Sequence, residues 1–304
     1  MDGSRYAAKG PTQPRPVHVM DMQRQVRRSI VPAFDVEAIA TIIREVAETV
    51  IMPRWRNLAA HEIGSKSRSS DIVTVADHEA ESVLTTRLAA LLPGSRVVGE
   101  EAVAANPAVL EALSGEGVVW VIDPIDGTRK FAAGSPDFDV LVALLVDGAG
   151  VAAWIYAPAE NRMIMGEAGA GVVLRDAAGE LRPVRRQPSR RLADLKGIVS
   201  PGGFSSRGYR SPEEVRGRFA GFTRHLCAGH NYARLLTGES DFLVNFSTLP
   251  WDHLAGLTLA AEAGLYAARH DGKPFDPRDP TGGLIVAPGA AAWHEIRALL
   301  LRPA

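Results

Sequence analysis

Acidic residues stand at three places in this chain where they could do chemistry together. They are Glu100 and Glu101 after RVVG, Asp123 and Asp126 after the apolar run VVWVI, and Asp252 in PWDHLAG. A carboxylate at the end of a buried run is costly unless something positive or hydrogen-bonding meets it. Each acid alone has an ordinary explanation. Asp126 and Asp252 suit turn or helix-capping positions, and Glu100 suits a solvated loop. Together they suit a hard cation such as magnesium, which prefers carboxylate and carbonyl oxygen and keeps water ligands for reaction.

The spacing in DPIDGT, residues 123–128, adds a physical reason. Pro124 fixes the turn so that both aspartates and the Ile125 carbonyl can face one pocket, and Gly127 lets the main chain approach a ligand closely. The N–H groups at Gly127 and Thr128, opening a helix, would hold a phosphate beside the cation.

Regular elements must position these groups. Asp35 caps a helix whose face Val36, Ile39, Ile43, Val46 and Val50 is apolar as far as Pro53. TVAD has the Ser/Thr-x-x-acid form that starts a second helix, Thr74 to Leu92, ended by Pro93-Gly94. A strand over Arg96 to Val98 runs into Glu100. DVLVALLVDGAGVAAWIY reads as two strands about Asp147-Gly148, and MIMGEAGAGVVLR as another hairpin. GEAGAG lacks the spacing of a dinucleotide fingerprint and is a turn.

RPVRRQPSRRLADLK is a passage between lobes, with the boundary near residue 190. Beyond it come a strand in GIVSP, helices at Pro212 to Phe219 and Asn231 to Leu236, and a strand at Phe242 to Phe246. A helix at His253 to Ala263, a strand at Leu284 to Ala287 and a helix at Ala291 to Leu301 complete the order. The expectation is a tail over 1–33, an α+β lobe over 34–190 and an α/β lobe over 191–304.

The composition excludes several functions. With a net charge of -1, no bulk attraction to nucleic acid is indicated. The single cysteine, Cys227, excludes an internal disulfide or a multi-cysteine metal site and suits a reducing cytoplasm. The eight histidines are scattered and HEIGS at His61 lacks a second histidine at zinc-protease spacing, so zinc is not indicated. No run has the length of a membrane span, and a soluble cytoplasmic protein is expected. Trp154, Tyr156, Tyr232 and Trp251 read as packing or pocket-wall residues, and the arginines at 182–196 and 207–224 as solvated faces.

GEE at 99–101, DPIDGT at 123–128 and WDHLAG at 251–256, in this order and at these separations, resemble the inositol monophosphatase family of magnesium-dependent, lithium-sensitive phosphatases. The resemblance covers roughly residues 35–300. It implies a layered αβαβα sandwich and two or three Mg2+ ions per site. It also implies a small phosphorylated metabolite as substrate and a homodimer. Glu100, Asp123 and the Ile125 carbonyl match the ligands of a first metal; Asp123, Asp126 and Asp252 match those of a second. Thr128 and Asp77 match the pair that orients the attacking water, although Asp77 also stands where a capping box wants an acid. Two such ions would neutralise the ester and activate water for in-line attack.

The substrate side departs from the family's pattern. Inositol-phosphate enzymes carry an acid seven residues before the WD aspartate, where this chain has Asn245. FAAGSPDF resembles a stretch of histidinol-phosphate phosphatases, and CAGHNYARLL replaces a small-residue GSAA-type segment. Inositol 1-phosphate is the first expectation and histidinol phosphate its rival. A 3'(2'),5'-bisphosphate nucleotidase, or a regulatory binding module with vestigial catalysis, are the others.

Overall fold

The computed structural model describes residues 33–65, 72–184, 191–201 and 209–301. The tail expected over 1–33, save Ala33, and the boundary near residue 190 lie outside them.

Helix α1 (Val36–Val46) begins where Asp35 Oδ1 accepts the N–H groups of Glu37 and Ala38, and a π turn over Ala47–Ile51 carries it on. Strands β1 (Ile63–Ser65) and β2 (Ile72–Thr74) form a small antiparallel pair that leads into α2 (Val75–Leu91). Next come β3 (Arg96–Gly99), α3 (Glu100–Ala105), β4 (Val118–Asp126) and α4 (Thr128–Ala132). A meander follows through β5 (Asp139–Val146), β6 (Ala149–Ala157), β7 (Arg162–Glu167), β8 (Gly171–Arg175) and β9 (Leu181–Pro183).

The second half holds β10 (Lys196–Val199), α5 (Pro212–Val215), β11 (Gly221–Thr223) and α6 (Ala228–Thr237). It continues with β12 (Phe242–Asn245), α7 (Pro250–Glu262), β13 (Tyr266–Arg269), β14 (Leu284–Ala287) and α8 (Ala290–Leu300). Some expected bounds need correction: the helix expected from Asn231 begins at Ala228, and the one expected from His253 begins at Pro250. The helix expected over Pro212 to Phe219 stops at Val215 and tightens into a 3-10 turn over Arg216–Arg218. Strands β11 and β13 carry no long apolar run to announce them.

Strands β3 to β9 form one sheet in sequence order, with β3 and β4 parallel and the other neighbours antiparallel. The second sheet has the order β11-β10-β12-β14-β13. Alternation along the strands builds three cores, because successive side chains face opposite sides. Trp120, Ile122, Val142 and Trp154 pack with Ile39, Ile43, Leu84 and Leu88 of α1 and α2. Val121, Leu141 and Ala143 turn the other way to meet Tyr232 and Leu236 of α6, Leu259 of α7, and Leu243 and Val286 of the second sheet. Phe242, Val244 and Ile285 face outward onto Trp293, Ile296 and Leu300 of α8. The layers are therefore helix, sheet, helix, sheet, helix, the expected αβαβα sandwich. Both faces of β4 and β5 are covered, which explains their unbroken apolar runs.

Candidate active site

Four helix starts and one strand end converge on the acids. In the parallel pairing of β3 with β4, Gly99 lies opposite Ile122. Glu100, the first residue of α3, consequently stands level with Asp123. Residues three apart on a regular strand point to opposite faces, yet Asp123 and Asp126 both offer oxygens within 4.8 Å of one another and of Asp252. The cause is a register shift between them against β5, at Pro124, which has no N–H to give the ladder. Asp123 Oδ1 accepts the Ile125 N–H at 3.1 Å, while the Ile125 side chain is fully buried in the core. Asp252 joins them from the first turn of α7, which Pro250 opens.

The electrostatics of this cluster call for a cation. Burial drives the Asp123 carboxyl well above the usual range, and Glu100, Asp126, Asp252 and Asp77, in falling order, push it further. Burial, then the charge of Asp139, pushes Asp126 up to about 7, against the N–H groups of Gly229 and Ala228 and the charge of His230. A hard divalent ion relieves that desolvation and mutual repulsion, and an all-oxygen donor set suits magnesium. The residues fit the metal.

Asp77 resolves the competition between capping and chemistry by serving both. Its Oδ2 accepts the Thr74 N–H at 2.8 Å and the Thr74 hydroxyl at 2.5 Å, closing the capping box of α2. Its Oδ1 lies 3.1 Å from Thr128 Oγ1 at the start of α4. Thr128 Oγ1 is also 3.0 Å from the Ile125 carbonyl oxygen, so one hydroxyl proton faces two acceptors. Burial pushes Asp77 up to about 7. Gly127 is left-handed, at φ 92°, and a Cβ there would stand 3.0 Å from Asp137 O and 3.1 Å from Cys227 Cβ. Its small size therefore serves the turn and close packing from behind.

Several groups escaped the sequence reading. Glu81, one turn after Asp77, accepts the N–H groups of Glu101 and Ala102, each at 2.8 Å, and pins the start of α3 behind Glu100. A Cβ on Gly99 would overlap that carboxylate, which accounts for the glycine of GEE. The i, i+4 spacing of two acids on α2 was the available signal. Beneath Asp126, Gly229 donates its N–H to Oδ2 at 2.6 Å. Next to it, Asp139 Oδ2 lies 2.6 Å from His230 Nδ1 and accepts the Cys227 thiol at 3.1 Å. Cys227 is buried, and its thiol is raised well above the usual range, chiefly by desolvation.

Asn245 is buried at the end of β12. Burial lowers the pKa of His225 below the ordinary histidine value. Glu101 is buried and its carboxylate is 4.0 Å from His78 Nδ1.

Known proteins share this arrangement of segments. A sequence model of the inositol monophosphatase family matches residues 34–302. The chain is 31% identical over 247 residues to inositol-1-monophosphatase SuhB of Mycobacterium tuberculosis, covering 79% of this chain and 81% of that protein. It is 28% identical to inositol-1-monophosphatase of Bacillus subtilis, over 77% of this chain and 84% of the other. The solved structure of the Thermotoga maritima IMPase superposes with a TM-score of 0.70 at 25% identity, covering 86% of this chain and 94% of that one. Match, fold and acidic cluster agree: the chain belongs to the inositol monophosphatase family of magnesium-dependent phosphoric monoester hydrolases.

Proposed function

We propose that this chain hydrolyses the phosphate monoester of a small polyol, with inositol 1-phosphate within its range. The observation that carries the reading is the meeting of Asp123, Asp126 and Asp252 within 4.8 Å, beside the Thr128–Asp77 pair. In this reading Glu100, Asp123 and the Ile125 carbonyl hold a first Mg2+, and Asp123, Asp126 and Asp252 hold a second. When bound, such ions neutralise the ester oxygens and lower the pKa of water. Thr128 Oγ1 orients the attacking water and passes its proton to Asp77 Oδ1, whose basicity burial has raised. The N–H groups at Gly127 and Thr128 hold the transferred phosphate at the opening of α4. Asp126 is fixed for its part by Gly229.

The leaving alcohol would lie toward Asn245. Histidinol phosphate carries a cationic amine, for which Asn245 supplies no carboxylate, so it ranks behind the polyol esters. A purely regulatory role predicts erosion of the acidic cluster, and every motif carboxylate is in place. A cytoplasmic homodimer completes the proposal.

The test is phosphate release from inositol 1-phosphate, histidinol phosphate and 3'-phosphoadenosine 5'-phosphate, with and without magnesium and lithium. Magnesium-dependent, lithium-inhibited release from inositol 1-phosphate is expected. Selective cleavage of histidinol phosphate would displace the polyol reading, and release from none would favour the regulatory one.

A further inference from the structure

Asp139 is an acid that none of the three motifs covers. It opens β5 directly opposite Asp126 in the antiparallel pairing with β4, and it is only 1% exposed. Two carboxylates facing one another across a buried ladder repel, so an apolar residue at 139 would suit the sheet better. Nor does Asp139 join the oxygens that Asp123 and Asp252 bring to Asp126; it groups instead with Cys227 and His230.

The start of α6 closes over both acids. Gly229 donates its N–H to Asp126 Oδ2 at 2.6 Å. Cys227, two residues earlier, donates its thiol to Asp139 Oδ2 at 3.1 Å, and His230, the next residue, places Nδ1 2.6 Å from the same oxygen. Glu160 Oε1 lies 3.5 Å from His230 Nε2, so the imidazole is fixed between two carboxylates. The helix start sits so close that a Cβ on Gly229 would come within 2.5 Å of Asp139 Oδ2. Asn231 Oδ1 accepts the Leu226 N–H at 2.9 Å and fixes the turn that enters α6. Where Asp139 holds this stretch therefore decides where the Gly229 N–H points.

We infer that Asp139 and His230 are positioning residues for the magnesium site: their hydrogen bond seats α6 so that Gly229 holds the Asp126 carboxylate in its ligating orientation. Neither side chain is itself a ligand. This inference rests on the metal set of the phosphatase reading and names the support on which Asp126 depends.

Titration of magnesium into the full chain, followed by calorimetry with inorganic phosphate present, reads this without requiring turnover. Partners behind a metal ligand are worth about 10–100-fold in affinity, so His230→Ala and Asp139→Ala should each weaken magnesium binding by about tenfold or more. The double variant should lose little beyond the larger single loss, because the two residues act through one hydrogen bond. His230→Asn, whose amide can offer a donor near the place of Nδ1, should recover part of the affinity. Ile296→Ala, which opens a cavity in the core under α8, should leave it unchanged. In phosphate release, the His230→Ala loss should appear as a higher magnesium requirement more than as a lower kcat at saturating magnesium. If His230→Ala does not fold, His230→Leu, which fills the space without a donor, takes its place. Wild-type affinity in the folded variants overturns the inference and leaves the phosphatase reading intact. An equal loss in Ile296→Ala also overturns it, since Asp139 and His230 would then only hold the fold. Absence of magnesium binding in the wild type removes the phosphatase reading and this inference with it.

Discussion

Thr128 Oγ1 and Asp77 Oδ1, fifty-one residues apart in sequence, lie 3.1 Å from one another and join the start of α4 to the start of α2. The other oxygen of the same carboxylate closes the cap on Thr74. One side chain thus fixes a helix and faces the reacting groups, and replacing it has two separable effects.

Asp77→Asn keeps an oxygen for the cap and loses the base. We expect kcat to fall by on the order of 10²–10⁴-fold, with the melting temperature nearly kept. Thr128→Val should lower kcat comparably, and Thr128→Ser should restore most of it. Steady-state kinetics alongside thermal unfolding checks both; a normal kcat in Asp77→Asn would reduce its role to capping.

Asp126→Asn should abolish turnover and leave the fold intact, because Gly229 can still donate to the remaining amide oxygen. Circular dichroism and phosphate release together decide this. Near-normal activity would remove Asp126 from the metal set.

In metal-free protein, stability should fall as pH rises from about 4 to about 7. Asp77 and Glu81 are both raised to about 7 in the fold, chiefly by burial, from ordinary values near 4. The folded state then binds more protons than the unfolded chain in this window, so their contribution is complete below the unfolded values and is lost through the folded ones. Urea denaturation in chelator at the two ends of the window measures it. Asp77→Asn should flatten the slope, and a stability that rises with pH would contradict the account.

Gly256→Ala should destabilise the protein by about 1–3 kcal/mol, since the added methyl overlaps the ring of Tyr232 where α7 crosses α6. Denaturant midpoints check this. An unchanged midpoint would show that Tyr232, fully buried and hydrogen-bonded to His253, can move aside.

Much of this was legible in the sequence because the central strands are buried on both faces and the helix starts carry recognisable caps. Asp35, Thr74 and DPIDGT announce themselves locally. The apolar pattern starts α7 at His253, three residues late, whereas Pro250 marks the true start and puts Asp252 in a first turn. His230 was not legible, because the partner that gives it meaning, Asp139, arrives from another element. The sequence spacing of Asp123 and Asp126 likewise conceals the register shift that lets both reach Asp252.

Isothermal titration of magnesium into the full chain, with inorganic phosphate present, tests the central claim most directly. The account predicts saturable binding of at least two ions by the wild type and loss of at least one in Asp126→Asn. Absence of binding in the wild type, or the same isotherm in both proteins, would contradict it.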